Sequence, residues 1–391
     1  MTDTKVRMYN VGFGDCFVVS YQGPTRMHRI LLDCGMHLSG QGPRPILEVA
    51  AQVIDDARDS DGVSRFDVVV ATHRHYDHIA GFDSPLWADV EVREVWLPWI
   101  ENRKDPDARR IHDKQVKAAL GLQVLLAARP DAASEMLLVN AISNDGAAKT
   151  LLDGFKGHSL RRYLPTTKDP ESFTTEALPG LTVHVLGPSR DEAVIRDMEP
   201  PPVQSYLRLL GVDVGDDGDA PLRPFADQGV SVAPEARDAS IKKLHRLLQR
   251  AQIELAVAID DAVNGTSLVL VLEIGSAVLV FAGDAQWGTW QSALRNDAWR
   301  DLLGRATFLK VGHHGSHNAS PRDLVDGPIP DGIPAMISVT HVDRWPRIPR
   351  NGLLEALTRK NIHWIRSDKA MGDDTFTVAA DGSTVDLVVP G

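Results

Sequence analysis

Only two cysteines occur in the 391 residues, Cys16 and Cys34. Two thiols cannot build a disulfide framework, and both fall in strand-like surroundings. Buried free thiols in a reducing, cytoplasmic setting are therefore expected. Long apolar runs are missing as well. The longest, Ser267 to Ala282, is interrupted by Glu273 and Gly275 and reads as a hairpin, so no membrane span is expected. Met1 to Lys5 leads straight into a strand without an apolar leader segment. A surplus of positive charge is also absent: the formal net charge is −11. An acidic surface repels polyanions and argues against unaided binding of long duplex DNA. It does not exclude a nuclease, because divalent ions and a local cluster of arginines reverse the field at a site. No internal repeat is present.

Against that background one stretch stands out, His73-Arg74-His75-Tyr76-Asp77-His78. It follows the β-branched run Phe66 to Ala71, which reads as a strand buried on both faces. With 14 histidines in the whole chain, three in six positions beside an aspartate is not a chance polar loop. If the backbone stays extended past Thr72, His73, His75 and Asp77 project to one side. His78 then lies where the chain turns into a helix from about Ile79. Two imidazoles for one ion, with a carboxylate and an imidazole for a second, is what a two-metal hydrolase needs.

The hexad matches the HxHxDH signature of the metallo-β-lactamase fold, and further segments resemble it in order. Asn10-Val11-Gly12-Phe13-Gly14-Asp15-Cys16 is similar to the "VGQGD" turn of the hydrolase domain of ComEC-type competence proteins. Ile30 to Gly35 resembles the "LIDTG" strand end, and Asn264 to Leu270 the "NxxSLVL" strand. Phe281-Ala282-Gly283-Asp284 looks like "LLTGD", and Leu309 to Ser316 like "LKVxHHGS". The usual "GHP" near the end reads Arg347-Ile348-Pro349 here. The resemblance implies an αββα sandwich, an α/β fold, of residues 1–196 and 240–391. The acidic Pro/Gly-rich stretch 197–239 is an insertion and a possible lid. That stretch is not an EF-hand, since position twelve counted from Asp213 is Pro224.

The same resemblance implies the site. His73 and His75 hold one metal, Asp77 and His78 the other, and Asp284 bridges them. His313 or His314 completes the second site. On an extended segment neighbours point opposite ways, so only one of the pair is expected to reach a metal; His313 is taken as the ligand and His314 as a proton donor to the leaving group. Zinc is the default ion, with manganese or iron also compatible with imidazole and carboxylate ligands. Two such ions lower the pKa of a shared water towards about 7 and give a hydroxide nucleophile, with Asp77 counted among the catalytic residues. Asp33 is expected to orient a ligand histidine. Asp15 either does the same or closes a turn. His112, His158 and His184 are candidates for a further ligand, none of them in a recognisable motif. Ser316 and Arg347 are candidates for substrate contact. Lys310 reads as a solvent-facing strand end. Arg344, Trp345, Arg347 and Arg350 read either as a grip for phosphate and a stacked base or as an ordinary surface loop.

Along the chain, strands are expected at 4–9, 16–21, 27–33, 66–71 and 92–99, and a helix at 45–58. Helices follow at 107–128, 133–155 and 240–259. The last third alternates strands at 307–311, 335–340 and 362–366 with a helix at 351–359, and closes on a hairpin at 374–389. The favoured function is a metal-dependent phosphodiesterase or nuclease acting on a small-molecule or short nucleic-acid substrate. Hydrolysis of a small ester, lactone, thioester or amide is the first alternative. A non-catalytic binding module with a structural metal is the second, and a two-metal ligand set argues against it.

Overall fold

The computed structural model describes residues 3–128, 144–167, 171–201, 204, 262–343 and 345–391. Two sheets face each other. The first has eight strands in the order β14-β15-β1-β2-β3-β4-β5-β6. These are β1 (Thr4–Tyr9), β2 (Cys16–Gln22), β3 (Met27–Cys34), β4 (Arg65–Val70), β5 (Glu91–Pro98), β6 (Leu160–Leu164), β14 (Phe376–Val378) and β15 (Thr384–Val389). The second has seven, in the order β13-β12-β11-β10-β9-β8-β7. Its strands are β7 (Glu171–Thr174), β8 (Leu181–Gly187), β9 (Val269–Ile274), β10 (Ala277–Phe281), β11 (Phe308–Lys310), β12 (Pro334–Ile337) and β13 (His363–Arg366).

Alternation along the strands explains the layering. In β1 Val6 and Met8, in β3 Ile30 and Leu32, and in β9 Leu270 and Leu272 all enter one core between the sheets. The intervening residues serve two outer cores. Val69 and Leu31 pack under the helix Ile46–Asp56, whose buried Ile46, Val49, Ala50, Val53 and Ile54 recur at helical spacing. Val271 and Val280 pack under the helices Trp287–Leu294, Asp297–Leu303 and Asn351–Arg359, around the fully buried Trp290. Each large aliphatic side chain so buried contributes about 1.5–3 kcal/mol relative to exposure. The result is helix, sheet, sheet, helix: the expected αββα sandwich.

Most expected elements are present within a residue or two of their bounds, and the strand expected at 335–340 ends three residues early, at Ile337. Three further differences stand out. The helix expected from about Ile79 is a four-residue turn, Tyr76–Ile79, continued by a 3-10 turn at Ala80–Asp83. It therefore contains Asp77 and His78 instead of following them. The expected helix 133–155 is described only from Asn144, where a short helix Asp145–Lys149 runs into a π-helical turn, Thr150–Gly154. Strands β6 and β7 are additions to the expected set. Both are short and largely polar, with half-exposed faces that carry little hydrophobic signal. The helix expected at 240–259 lies outside the described residues. So does nearly all of the insertion 197–239, including any lid it would form.

The placement of the site follows from topology. Strands β3, β4, β5 and β6 run parallel, as do β10, β11, β12 and β13. Their carboxyl ends bring together Asp33, the hexad, Asp284 and the His313–His314 turn.

Candidate metal centre

Leu32 pairs with Val70, so the ends of β3 and β4 lie side by side. Asp33, in a left-handed conformation (φ 58°), turns its carboxylate across to the hexad. It accepts hydrogen bonds from the Thr72 amide and hydroxyl, each 2.7 Å, and from His78 Nδ1 at 2.8 Å. With Nδ1 committed to Asp33, the Nε2 of His78 faces Asp284, 3.2 Å away. The carbonyl of His75 caps the helical turn by accepting from the amides of His78 and Ile79 at 3.0 and 3.1 Å. This turn lies hard against Gly35. A Cβ there would come within 2.3 Å of the Asp77 carbonyl carbon and the His78 nitrogen. The glycine of the third motif is needed for that close approach.

Asp284 arrives from the opposite sheet, one residue beyond Gly283, whose φ of 51° turns the chain after β10. Its amide is held by Ser267 Oγ at 3.2 Å, and the Leu268 amide donates to the Thr72 carbonyl at 2.8 Å. The two halves of the site are thus fastened to each other through the backbone.

His313 and His314 do not sit on an extended segment. Both adopt left-handed backbone conformations, with φ 46° and 53°. That removes the alternation on which the choice between them rests. Both rings reach Asp284, His313 Nε2 at 3.7 Å and His314 Nε2 at 3.9 Å. His314 Nδ1 donates to the Ser338 carbonyl at 2.8 Å, leaving Nε2 towards Asp77 at 3.5 Å. His73 and His75 stand against the same cluster, with 3.0 Å between His73 Nε2 and His75 Nδ1 and 4.0 Å between the rings of His73 and His78.

Four residues, Asp77, His78, Asp284 and His314, each present one ligand atom within 4.8 Å of the others. All four are buried. Asp77 Oδ1, His78 Nε2, Asp284 Oδ1 and His314 Nε2 have no hydrogen-bond partner among the described residues. Buried polar atoms are rarely left so, and imidazole nitrogens converging with carboxylate oxygens are a transition-metal donor set. The residues fit a metal.

Electrostatics divide the histidines. Burial opposes charge on His78 and His314, but Asp284 and Asp33 hold His78, and Asp284 and Asp77 hold His314, above the ordinary imidazole value, so an ion would displace a proton from each. Burial pushes His73 well down and His75 down to about 4, so both rings are neutral, as ligands must be. Burial would raise the carboxyls of Asp77 and Asp284. The nearby His314 and His78 rings outweigh it at Asp77, as the charges of His78, His313 and His314 do at Asp284, and both are held well below the usual range. Burial raises Asp33, partly offset by His78.

Lys310 corrects the sequence reading. It is not a solvent-facing strand end: it is 2% exposed, its ammonium pairs with Asp15, and it donates to the Gly283 carbonyl at 3.2 Å. Asp284 Oδ1 is 3.8 Å from it. Burial opposes its charge, but Asp15 and Asp284 raise its pKa above the ordinary value. Asp15 does not close a local turn; its backbone ties together two other segments, through Asp15 N to Asp77 O and Gly35 N to Asp15 O, both 3.0 Å. Its carboxylate receives Lys310, and lies 3.8 Å from His78 Nδ1. Asp15, Asp33 and His78 also converge closely enough for a cation, and the lysine ammonium already serves there. A lysine ending an otherwise apolar strand between parallel neighbours was the available signal.

The remaining candidates separate. His184 bonds Ser172 at 2.8 Å and Glu273 at 3.0 Å, within the second sheet. His158 is exposed, and His112 lies 3.4 Å from Arg74. None of the three joins the cluster. Ser316 is buried, its amide bonded to the His313 carbonyl at 2.8 Å. Arg347 is exposed, and its charge, after burial, helps lower the pKa of Arg350. The Arg350 amide donates to the Gly315 carbonyl at 3.0 Å, so this loop borders the histidine turn. Phe13, not singled out from sequence, packs 4.2 Å from the His314 ring and stacks on Trp345 at 5.2 Å. Arg344 lies outside the described residues.

A family model, the metallo-beta-lactamase superfamily, matches residues 9–84. That span holds the Asp15 turn, the Asp33 strand end and the whole hexad. With the two facing sheets and their outer helices, the fold is the metallo-β-lactamase αββα sandwich, whose members are generally metal-dependent hydrolases. No curated protein matches the chain. Among the described residues no helix is long and apolar enough to cross a membrane.

Proposed function

We propose that the protein is a dinuclear metal-dependent phosphodiesterase acting on small or single-stranded substrates. His73, His75 and His313 would hold one ion, Asp77, His78 and His314 the other, with Asp284 between them. Two divalent ions, zinc by default and manganese or iron as alternatives, would supply a hydroxide nucleophile near neutral pH and Lewis acidity at the attacked phosphoryl oxygen. His314 is better suited to hold metal than to donate a proton, because its ring is buried and Nδ1 is already committed to Ser338. Asp33 fixes the tautomer of His78, and Lys310 holds Asp15 and offsets the carboxylate charge around Asp284.

The observation that carries the phosphate half of this reading is the placement of Arg347 and Arg350. The loop bearing them is tied to Gly315, immediately after the histidine turn. Guanidinium groups there can neutralise a phosphodiester oxygen as it approaches, which an acidic protein otherwise repels.

The test is turnover of bis-p-nitrophenyl phosphate, single-stranded DNA, RNA, a lactone and a thioester, with zinc and then with manganese. Phosphodiester hydrolysis that is abolished by chelation, and whose KM rises about tenfold in Arg347→Ala, supports the reading. Lactone or thioester turnover with no phosphodiester turnover under either metal would replace it with ester chemistry on the same fold.

A further inference from the structure

Beside the hexad lies a cavity of about 330 Å³ among the described residues. It is formed by the end of β5, the start of the helix Pro106–Ala128 and the short helix Asp145–Lys149, and His73 forms part of its wall. Its floor is aliphatic, including Leu97, Ile100 and Leu151. None of these three floor residues is used by the proposed metal chemistry.

Charge at this cavity is graded by depth. Arg103, Arg109, Asp113 and Asp145 are exposed at the mouth, where water screens them. Two charges lie deeper and are half-buried, Glu101 and Arg74, and the Arg74 Nε is buried without a hydrogen-bond partner among the described residues. The Arg74 guanidinium approaches the ring of His112, at 3.4 Å. A buried guanidinium nitrogen on a residue that lines a largely apolar cavity is costly unless a polar group or an anion completes it.

We infer that this cavity is the substrate's specificity subsite, taking a compact apolar group whose adjacent anion docks on Arg74. This rests on the hydrolase reading for the identity of the reacting bond, but the binding itself does not. The size follows from volume. A dry cavity of about 150 Å³ accommodates one benzene ring. A chamber of about 330 Å³ therefore takes a bicyclic group of roughly ten heavy atoms. The aliphatic floor offers van der Waals contact but little hydrogen-bond readout, so shape and the neighbouring anion set the preference. The ligand class is an organic anion on a bicyclic or similarly compact apolar body.

Naphthalene-2-sulfonate is the probe: it is fluorescent, cannot be hydrolysed as a phosphoester and is a poor metal ligand. With metal-loaded protein it should bind at one site, and a hundredfold excess of methanesulfonate should not displace it. Ala148→Trp, which fills the chamber from a half-buried lining position, should weaken binding tenfold or more. Arg74→Met should do the same. Arg109→Glu, at an exposed position that leaves the fold alone, should weaken it several-fold. The probe should also inhibit bis-p-nitrophenyl phosphate hydrolysis competitively. Equal affinity in Ala148→Trp and Arg109→Glu, displacement by methanesulfonate, or noncompetitive inhibition would overturn the assignment. If the wild type cleaves no phosphodiester, that reading fails alone, and the binding comparisons still decide the cavity.

Discussion

The ammonium of Lys310 and the carboxylate of Asp15 form a buried ion pair beneath Asp284, each residue only 2% exposed. Two charges at that depth depend on each other. Removing one leaves the other uncompensated, at a cost of about 3–5 kcal/mol, whereas removing both together costs much less.

Lys310→Met is therefore expected to destabilise the protein by about 3–5 kcal/mol in urea unfolding. The double variant Lys310→Met with Asp15→Asn should recover at least about 2 kcal/mol of that loss. Additive losses in the two single variants would show that the pair is not coupled.

Gly35 supplies a second prediction, because backbone stands where a side chain would go. A methyl group on its Cα would meet Asp77 and His78 main-chain atoms at 2.3 Å. Gly35→Ala should displace the turn that carries both side chains, costing about 3 kcal/mol and lowering bound metal. Unchanged metal content and an unchanged unfolding midpoint would contradict it.

The hexad, the Asp33 strand end and the Asp284 turn were legible because each is local: a β-branched strand followed at once by its polar residues. The Lys310–Asp15 pair was not, since it joins positions 295 residues apart in the chain, one just before a strand of the first sheet and the other on a strand of the second. The approach of both His313 and His314 to Asp284 was hidden for a different reason. It depends on two consecutive left-handed residues, which non-glycine side chains seldom adopt and which no pattern in Gly312-His313-His314-Gly315 announces. The helical turn holding Asp77 and His78 reads as extended chain in the sequence because four residues are too few to leave a periodic signature.

Acid sensitivity should have a source remote from the metal centre. Glu94 is buried and accepts from Arg162 Nε at 2.7 Å and Trp96 Nε1 at 2.9 Å. Burial would raise its pKa, but Arg162, Thr175 and Trp96 prevail and hold it below the ordinary value. A depressed carboxyl stabilises the fold above its unfolded pKa of about 4.3, and the benefit is lost as pH falls through the folded value. Glu94→Gln should therefore cost about 1.5–3 kcal/mol at pH 7. The difference from wild type should shrink below about pH 4.3. A difference that stays constant from pH 7 to pH 3 would rule out this linkage.

The claim that two ions share Asp284 is tested most directly by metal content per chain, measured by elemental analysis after loading and desalting. Wild type should retain two divalent ions. Asp284→Ala should lose both and its turnover with them, while Asp33→Asn, one step removed, should keep metal at reduced affinity. Two ions still bound in Asp284→Ala would contradict the account.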